Sequence, residues 1–209
     1  MNEFLKMRKL RDGCPVMITE IPKQIKKEIA EWGKESRKFK DSPLSDLKKY
    51  DTGNRGTNIS YQCPPPCNLV ENSFWLAWVL KLSAEYWGMG RSDREFRLRK
   101  WDGHSDGYDI WVNFSNKGDY FPSHTHSGFL SGVMYYKNHG VPTIFDDYNC
   151  SYEGKDGTMV IFPSQVFHHV EPQIANKERI TFAFNIVRTE HRIDDPHPSL
   201  PNIDDDTEG

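Results

Sequence analysis

The sequence predicts an α+β fold that is mainly β, a sandwich or jelly roll preceded by helices. Three observations predict it. Residues 1–93 contain two stretches with apolar residues at helical spacing. After residue 94 the texture changes to short runs of β-branched and aromatic residues, several parted by glycine or asparagine turns. The last run alternates: Ile180, Phe182, Phe184 and Ile186 share one face, and Arg179, Thr181, Ala183 and Asn185 the other. One face can pack in a core while the other lines a polar cavity.

In chain order, Met1 to Gly13 carries charges and no hydrophobic signal core. Pro22 to about Glu35 reads as a helix. Proline suits its first turn, and Ile25, Ile29 and Trp32 form the apolar stripe opposite lysines and glutamates. Asp41 to Cys67 is rich in Ser, Asp, Asn, Gly and Pro and reads mostly as loop; the stretch from Asp51 to Asn68 is a candidate cover for a site. Cys63 and Cys67 flank three prolines and resemble half a zinc site. The other two cysteines, Cys14 and Cys150, give no second close pair in sequence, so reduced thiols are expected. Ser73 caps a second helix, Phe74 to Trp87, which Gly88 ends; Trp75, Val79, Leu82 and Tyr86 form its stripe.

Candidate strands are Phe96–Trp101, Asp109–Phe114, Tyr120–His126, Phe129–Lys137, Thr143–Phe145, Thr158–Phe162, His168–Glu171 and Arg179–Val187. The segment 190–209 holds Asp194, Asp195, Asp204, Asp205, Asp206 and Glu208 plus prolines, and reads as a disordered acidic tail. A single domain is thus expected over 1–189, with N-terminal helices within residues 1–93 and a β core over residues 94–189.

At 209 residues, the chain suits one domain with one sizeable core. Hydrophobic residues are only 36% but aromatics reach 13%, so Phe, Tyr and Trp should fill much of that core. A net charge of -3 argues against an electrostatic nucleic-acid binder. No apolar run approaches the roughly 20 residues of a membrane span. A soluble, cytoplasmic protein is expected. The sequence holds no serine nucleophile elbow, phosphate-binding glycine loop or nucleotide motif.

The informative residues are His124-Thr125-His126, then His168, then Arg179. Residues two apart on a strand share a face, so His124 and His126 can bind one metal ion together. His168 comes from a distant segment that a folded sheet must bring back. An open-sided site of this kind suits non-haem Fe(II), although two histidines and one carboxylate are the usual set. Arg179 would supply a guanidinium fork for an anionic co-substrate. His169 adjoins His168, but alternation sends the two to opposite faces. Asp146 and Asp147 are an alternative source of a carboxylate ligand, although they look like a strand-end turn. Of Tyr135 and Tyr136, one should point into the cavity. His104, His139, His191 and His197 fall in turns or the tail and read as solvated.

These residues resemble the Fe(II)/2-oxoglutarate-dependent dioxygenase superfamily, in particular small bacterial and phage oxygenases related to prolyl hydroxylases. The resemblance runs from about Trp111 to Ile186. Its pieces are Trp111-Val-Asn113, Gly118-Asp-Tyr120, His124-Thr-His126, Ser131-Gly-Val-Met-Tyr-Tyr136, Phe162-Pro-Ser164, His168 and Arg179-Ile-Thr181. It implies a double-stranded β-helix (jelly roll) with N-terminal buttressing helices. It implies His124 and His168 as Fe(II) ligands, with His126 where most of the superfamily has Asp or Glu. It places Arg179 at the distal carboxylate of 2-oxoglutarate, helped by Tyr136 and Thr181, and Asn113 near the metal-binding end of the co-substrate. The implied activity is oxidation of a peptide or small-molecule substrate with release of succinate and carbon dioxide. Two other classes stay open: a three-histidine, cupin-like dioxygenase that uses no keto acid, and a non-catalytic jelly-roll protein that binds metal.

Overall fold

The computed structural model describes residues 6–40, 61–63, 65, 67–87, 96–98 and 109–188. The expected tail, most of the 51–68 cover, Gly88, His104, His191 and His197 lie outside these residues. In chain order the elements are β1 (Met7–Lys9), β2 (Met17–Glu20), α1 (Lys23–Lys40), β3 (Tyr61–Cys63), α2 (Cys67–Glu71), α3 (Phe74–Trp87), β4 (Phe96–Leu98), β5 (Ile110–Ser115) and β6 (Phe121–His124). Then follow β7 (Leu130–Lys137), β8 (Thr143–Phe145), a 3-10 turn (Asp146–Tyr148), β9 (Cys150–Tyr152), β10 (Thr158–Pro163), β11 (His168–Val170) and β12 (Arg179–Arg188).

The strands form two antiparallel, unclosed sheets of a jelly roll. The larger has the order β1-β2-β10-β7-β12-β5-β3, with β4 also pairing β12; the smaller has the order β6-β11-β8-β9. All the β-core candidates recur among the described residues, several with ends shifted by a few residues; residues 99–101 of the first lie outside them. The structure adds β1, β2, β3, β9 and α2. Each spans only three to five residues, too short for a periodicity to stand out. A piece of the expected 41–67 loop is therefore strand β3, which pairs β5.

Two apolar layers hold the molecule. The first lies between the larger sheet and the helices, where Ile25, Ile29 and Trp32 of α1 and Trp75, Val79 and Leu82 of α3 meet Phe182, Phe184 and Ile186 of β12. Trp75 stands edge-on to both Trp32 and Phe184, at 5.3 and 5.1 Å between ring centres, a geometry that aromatic quadrupoles favour. The second layer lies between the sheets and joins Val16, Ile18, Tyr135, Phe145, Val160 and Phe162.

The helix ends explain themselves. Ser73 Oγ accepts the Leu76 N–H at 3.1 Å, as an N-cap should. The Glu28 carboxylate of α1 accepts the N–H groups of Phe74 and Trp75, both at 3.0 Å. α1 thereby satisfies two free donors of α3, and the negative charge suits the N-terminus. α1 runs past Glu35 because its last turns are held from outside: Arg37 pairs with Glu178 and lies over the Phe114 ring. Among the described residues no helix is long and apolar enough to cross a membrane.

Candidate metal centre and co-substrate cavity

His124 ends β6 and His168 begins β11, and the two are directly opposed in the antiparallel ladder. His126 lies two residues beyond His124, its backbone N–H donating to the Ser164 carbonyl at 2.8 Å. The ligand atoms of His124, His126 and His168 all lie within 4.8 Å of one another. Two of the rings are fixed from behind. Nδ1 of His124 lies 2.8 Å from the Pro122 carbonyl, and Nδ1 of His168 lies 2.9 Å from the Val166 carbonyl. A carbonyl can only accept, so each Nδ1 carries the proton and each Nε2 is left as the ligand atom. Burial pushes His168 down to about 3, aided by the neighbouring His124, and burial also lowers His124. Both imidazoles are neutral at pH 7, the form that binds metal.

The competing ligands are occupied elsewhere. His169 pairs with Asp146 at 2.7 Å and reaches Glu171 at 3.4 Å. The second oxygen of Asp146 accepts from Ser123 Oγ at 2.6 Å, and Asp147 accepts the Phe167 N–H at 2.9 Å. Among the described residues no carboxylate joins the three histidines. His139 sits in a turn at φ 57°, its Nε2 3.1 Å from the Glu178 carbonyl.

The histidines open into a narrow cavity between the sheets, lined also by Trp111, Asn113, Thr143, Arg179 and Thr181. Arg179 is only 3% exposed. Its Nε donates to Asn138 Oδ1 at 2.6 Å. No carboxylate among the described residues pairs with it. Burial pushes the guanidinium down to about 10, so it remains charged at neutral pH. A buried, uncompensated cation is costly and calls for an anion.

Thr181 and Asn113 stand opposite each other on β12 and β5. Asn113 Nδ2 lies 3.4 Å from Thr181 Oγ1, and its buried Oδ1 has no partner among the described residues. Asn113 sits between Trp111, whose ring centre is 5.6 Å from that of His126, and the Arg179 end of the sheet. Tyr136 is not brought to the cavity. It faces the helix layer, its ring 6.2 Å from Phe182, and lines a separate surface groove with Lys34, Arg37 and Lys137. Tyr135, on the same side of β7 as Ser131 and Val133, faces the apolar layer between the sheets instead. Tyr135 is fully buried, and its hydroxyl donates to Thr143 Oγ1 at 2.9 Å.

Three supporting features escaped the sequence reading. Asn138 looks like an ordinary turn residue, yet its amide donates to the carbonyls of Val141 and Glu153 while its oxygen holds Arg179. Gly154, at φ 66°, leaves room for the Tyr135 ring, which a Cβ there would meet at 2.3 Å. Below the histidines, Ser131 Oγ lies 2.9 Å from Ser164 Oγ and 2.6 Å from Asn185 Oδ1, and Asn185 in turn donates to Asp109. The polar residues were visible on their strand faces; their convergence from four separate segments was not.

Residues 145–185 match the model of a family described as "Putative 2OG-Fe(II) oxygenase". The segment contains His168, Arg179 and Thr181. No curated protein matches the sequence significantly. Solved structures with a similar fold include a Pseudomonas putida prolyl-4-hydroxylase, at TM-score 0.54 and 16% identity over 84% of this chain and 94% of that one. Another is the viral collagen prolyl hydroxylase of Paramecium Bursaria Chlorella virus-1 in its 2-oxoglutarate complex, at TM-score 0.51 and 14% identity over 85% and 98%. A third is SnoN, an α-ketoglutarate-dependent non-haem epimerase from nogalamycin biosynthesis, at TM-score 0.56 and 10% identity over 84% and 79%. The jelly roll is the fold of these oxygenases. The chain thus shares with 2OG-Fe(II) oxygenases a family-model match over residues 145–185 and the jelly-roll fold.

Proposed function

We propose that this chain is an Fe(II)/2-oxoglutarate-dependent dioxygenase that hydroxylates a peptide or small-molecule substrate. Fe(II) sits on His124, His126 and His168, and the distal carboxylate of 2-oxoglutarate sits on Arg179. The observation that carries this reading is the buried Arg179 guanidinium, with no carboxylate partner among the described residues, in the same cavity as three converging histidines.

The residues fit both groups. Two histidines have their Nδ1 atoms tied to backbone carbonyls, so their metal-facing nitrogens are pre-oriented. Three neutral imidazoles leave the ion with its full double charge, one unit more than a two-histidine, one-carboxylate site would. A dianionic keto acid offsets that charge. Placement suits the same ligand: the three histidines and Arg179 line one cavity, so the two ends of a single dicarboxylate can meet metal and guanidinium.

With iron and the keto acid bound, oxygen oxidises the keto acid to succinate and carbon dioxide, one oxygen atom entering succinate and the other the substrate. The chain's own residues bind and orient. Arg179, held by Asn138, presents its remaining N–H groups to the distal carboxylate. Thr181 and Asn113 supply polar groups along the middle of the cavity. The Asn113 amide could also be turned over, so that Thr181 donates to Oδ1 and Nδ2 is the donor left for a ligand. Phe121 and Phe162 line the remaining walls and keep water out.

The test is stoichiometric. Fe(II)-loaded protein supplied with 2-oxoglutarate and oxygen should release succinate in step with oxygen consumed, slowly even without a primary substrate. Oxygen consumption without succinate would favour the three-histidine dioxygenase that needs no keto acid. Iron binding without any oxygen consumption would leave the non-catalytic jelly roll.

A further inference from the structure

Outside this cavity, at the edge of the apolar layer between the sheets, the turn between β1 and β2 touches the edge strand of the smaller sheet. Arg11 donates to the carbonyls of Tyr148 and Asn149, at 3.1 and 3.2 Å. Beside it Cys14 and Cys150 bring their sulfurs to 2.7 Å. Both are free thiols, 1% and 8% exposed. They are 136 residues apart: Cys14 lies in the turn joining two strands of the larger sheet, and Cys150 begins β9 of the smaller. Ordinary packing does not bring two sulfurs so close, and closing to a bond needs an approach of only about 0.7 Å.

Cys150 is also on a particular rung. It stands opposite Phe145, Phe145 stands opposite His168, and His168 stands opposite His124. We propose that Cys14 and Cys150 are a redox-active dithiol pair that closes to a disulfide under a peroxide-class oxidant, locking the seam between the sheets at the rung that carries His168 and His124.

The order of events follows from access. Cys150 lines an open surface cavity of about 440 Å³ with Leu10, Arg11, Ile144, Asn149 and Ser151, whereas Cys14 is covered. Cys150, as the thiolate, attacks one oxygen of hydrogen peroxide and becomes a sulfenic acid; hydroxide leaves. Cys14 then attacks that sulfur, expelling a second hydroxide, and the S–S bond forms. The two thiol protons convert both hydroxides to water. The sulfurs lose two electrons and the peroxide gains them. Burial, and then the hydrogen bond with Cys14, push the Cys150 thiol up to about 12, while Arg11 acts in the opposite sense. Closure is therefore slow at neutral pH and speeds up roughly tenfold per pH unit with the thiolate fraction.

The pair is tested on the whole chain. Native protein is treated with hydrogen peroxide, remaining thiols are blocked, and tryptic peptides are mapped without reduction. The expected product links the peptide 12–23 to the peptide 138–155, and a thiol reductant releases them. The oxidised protein should melt roughly 5–15 °C higher than the reduced protein. In Cys14→Ser neither the link nor the rise should appear. Recovery of Cys14 and Cys150 as free thiols after oxidation overturns the proposal, as does a crosslink confined to Cys63 and Cys67. A linked protein that melts no higher overturns the lock.

Discussion

Replacing Arg179 by alanine separates the co-substrate from the metal. The guanidinium is 3% exposed and its Nε is committed to Asn138. Two nitrogens remain for a bidentate, charge-assisted contact with a carboxylate. Losing that contact in a partly dry site should cost roughly 2 to 4 kcal/mol, or about 30- to 1000-fold in affinity. Arg179→Lys should recover only a fraction, because an ammonium cannot reproduce the fork that Asn138 orients. Iron should bind nearly as before, since the histidines are untouched. A second consequence follows from the unpaired charge. Arg179→Met removes a buried cation that no described carboxylate offsets, so the ligand-free protein should melt no lower than wild type. Anaerobic calorimetry of the Fe(II) proteins with 2-oxoglutarate measures the first effect and thermal denaturation the second. An unchanged 2-oxoglutarate Kd in Arg179→Ala would refute the reasoning.

Three further expectations are independent of it. His126→Ala should lose most Fe(II) affinity, whereas His126→Asp should retain much of it, because a carboxylate restores the commoner ligand set; equal, normal dissociation constants would remove His126 from the metal. The ligand-free protein should lose stability in acid. His168 has its folded pKa near 3 against 6.5, so below about pH 6.5 the unfolded chain binds the proton more readily. Stability then falls at up to roughly 1.4 kcal/mol per pH unit as the pH drops toward 3, and His168→Asn should flatten that region of a pH series of denaturant titrations. Gly132→Ala puts a Cβ 2.2 Å from the Phe184 ring; an overpacking cost of about 1–3 kcal/mol should lower the melting temperature by roughly 2–12 °C, and an unaltered melting curve would show that the ring is free to move aside.

The β core was legible because its longest strands carry their burial pattern openly. On β12 the apolar residues Phe182 and Phe184 meet Trp32 and Trp75, while Arg179 and Thr181 reach the cavity. The helix cap at Ser73 was legible for the same local reason. What failed was whatever depends on partners far away in sequence. The strands β1, β2 and β9 are stabilised by their neighbours rather than by a pattern of their own. Tyr135 and Tyr136 are chemically alike, and only the register of β7 decides which faces inward; Ser131 and Val133 held that clue. Asn138 gave no sign that it orients an arginine 41 residues away. The Cys14–Cys150 approach likewise exists only once two sheets have met.

The most direct measurement is an anaerobic titration of the Fe(II)-loaded protein with 2-oxoglutarate, followed by visible absorption. Chelation of the keto-acid end by iron on His124, His126 and His168 should produce a metal-to-ligand charge-transfer band that saturates at one equivalent per chain. The same band should be absent in His168→Ala and should need far more 2-oxoglutarate in Arg179→Ala. Iron that binds at one equivalent yet gives no band at any 2-oxoglutarate concentration would contradict the assignment of this cavity to a keto acid.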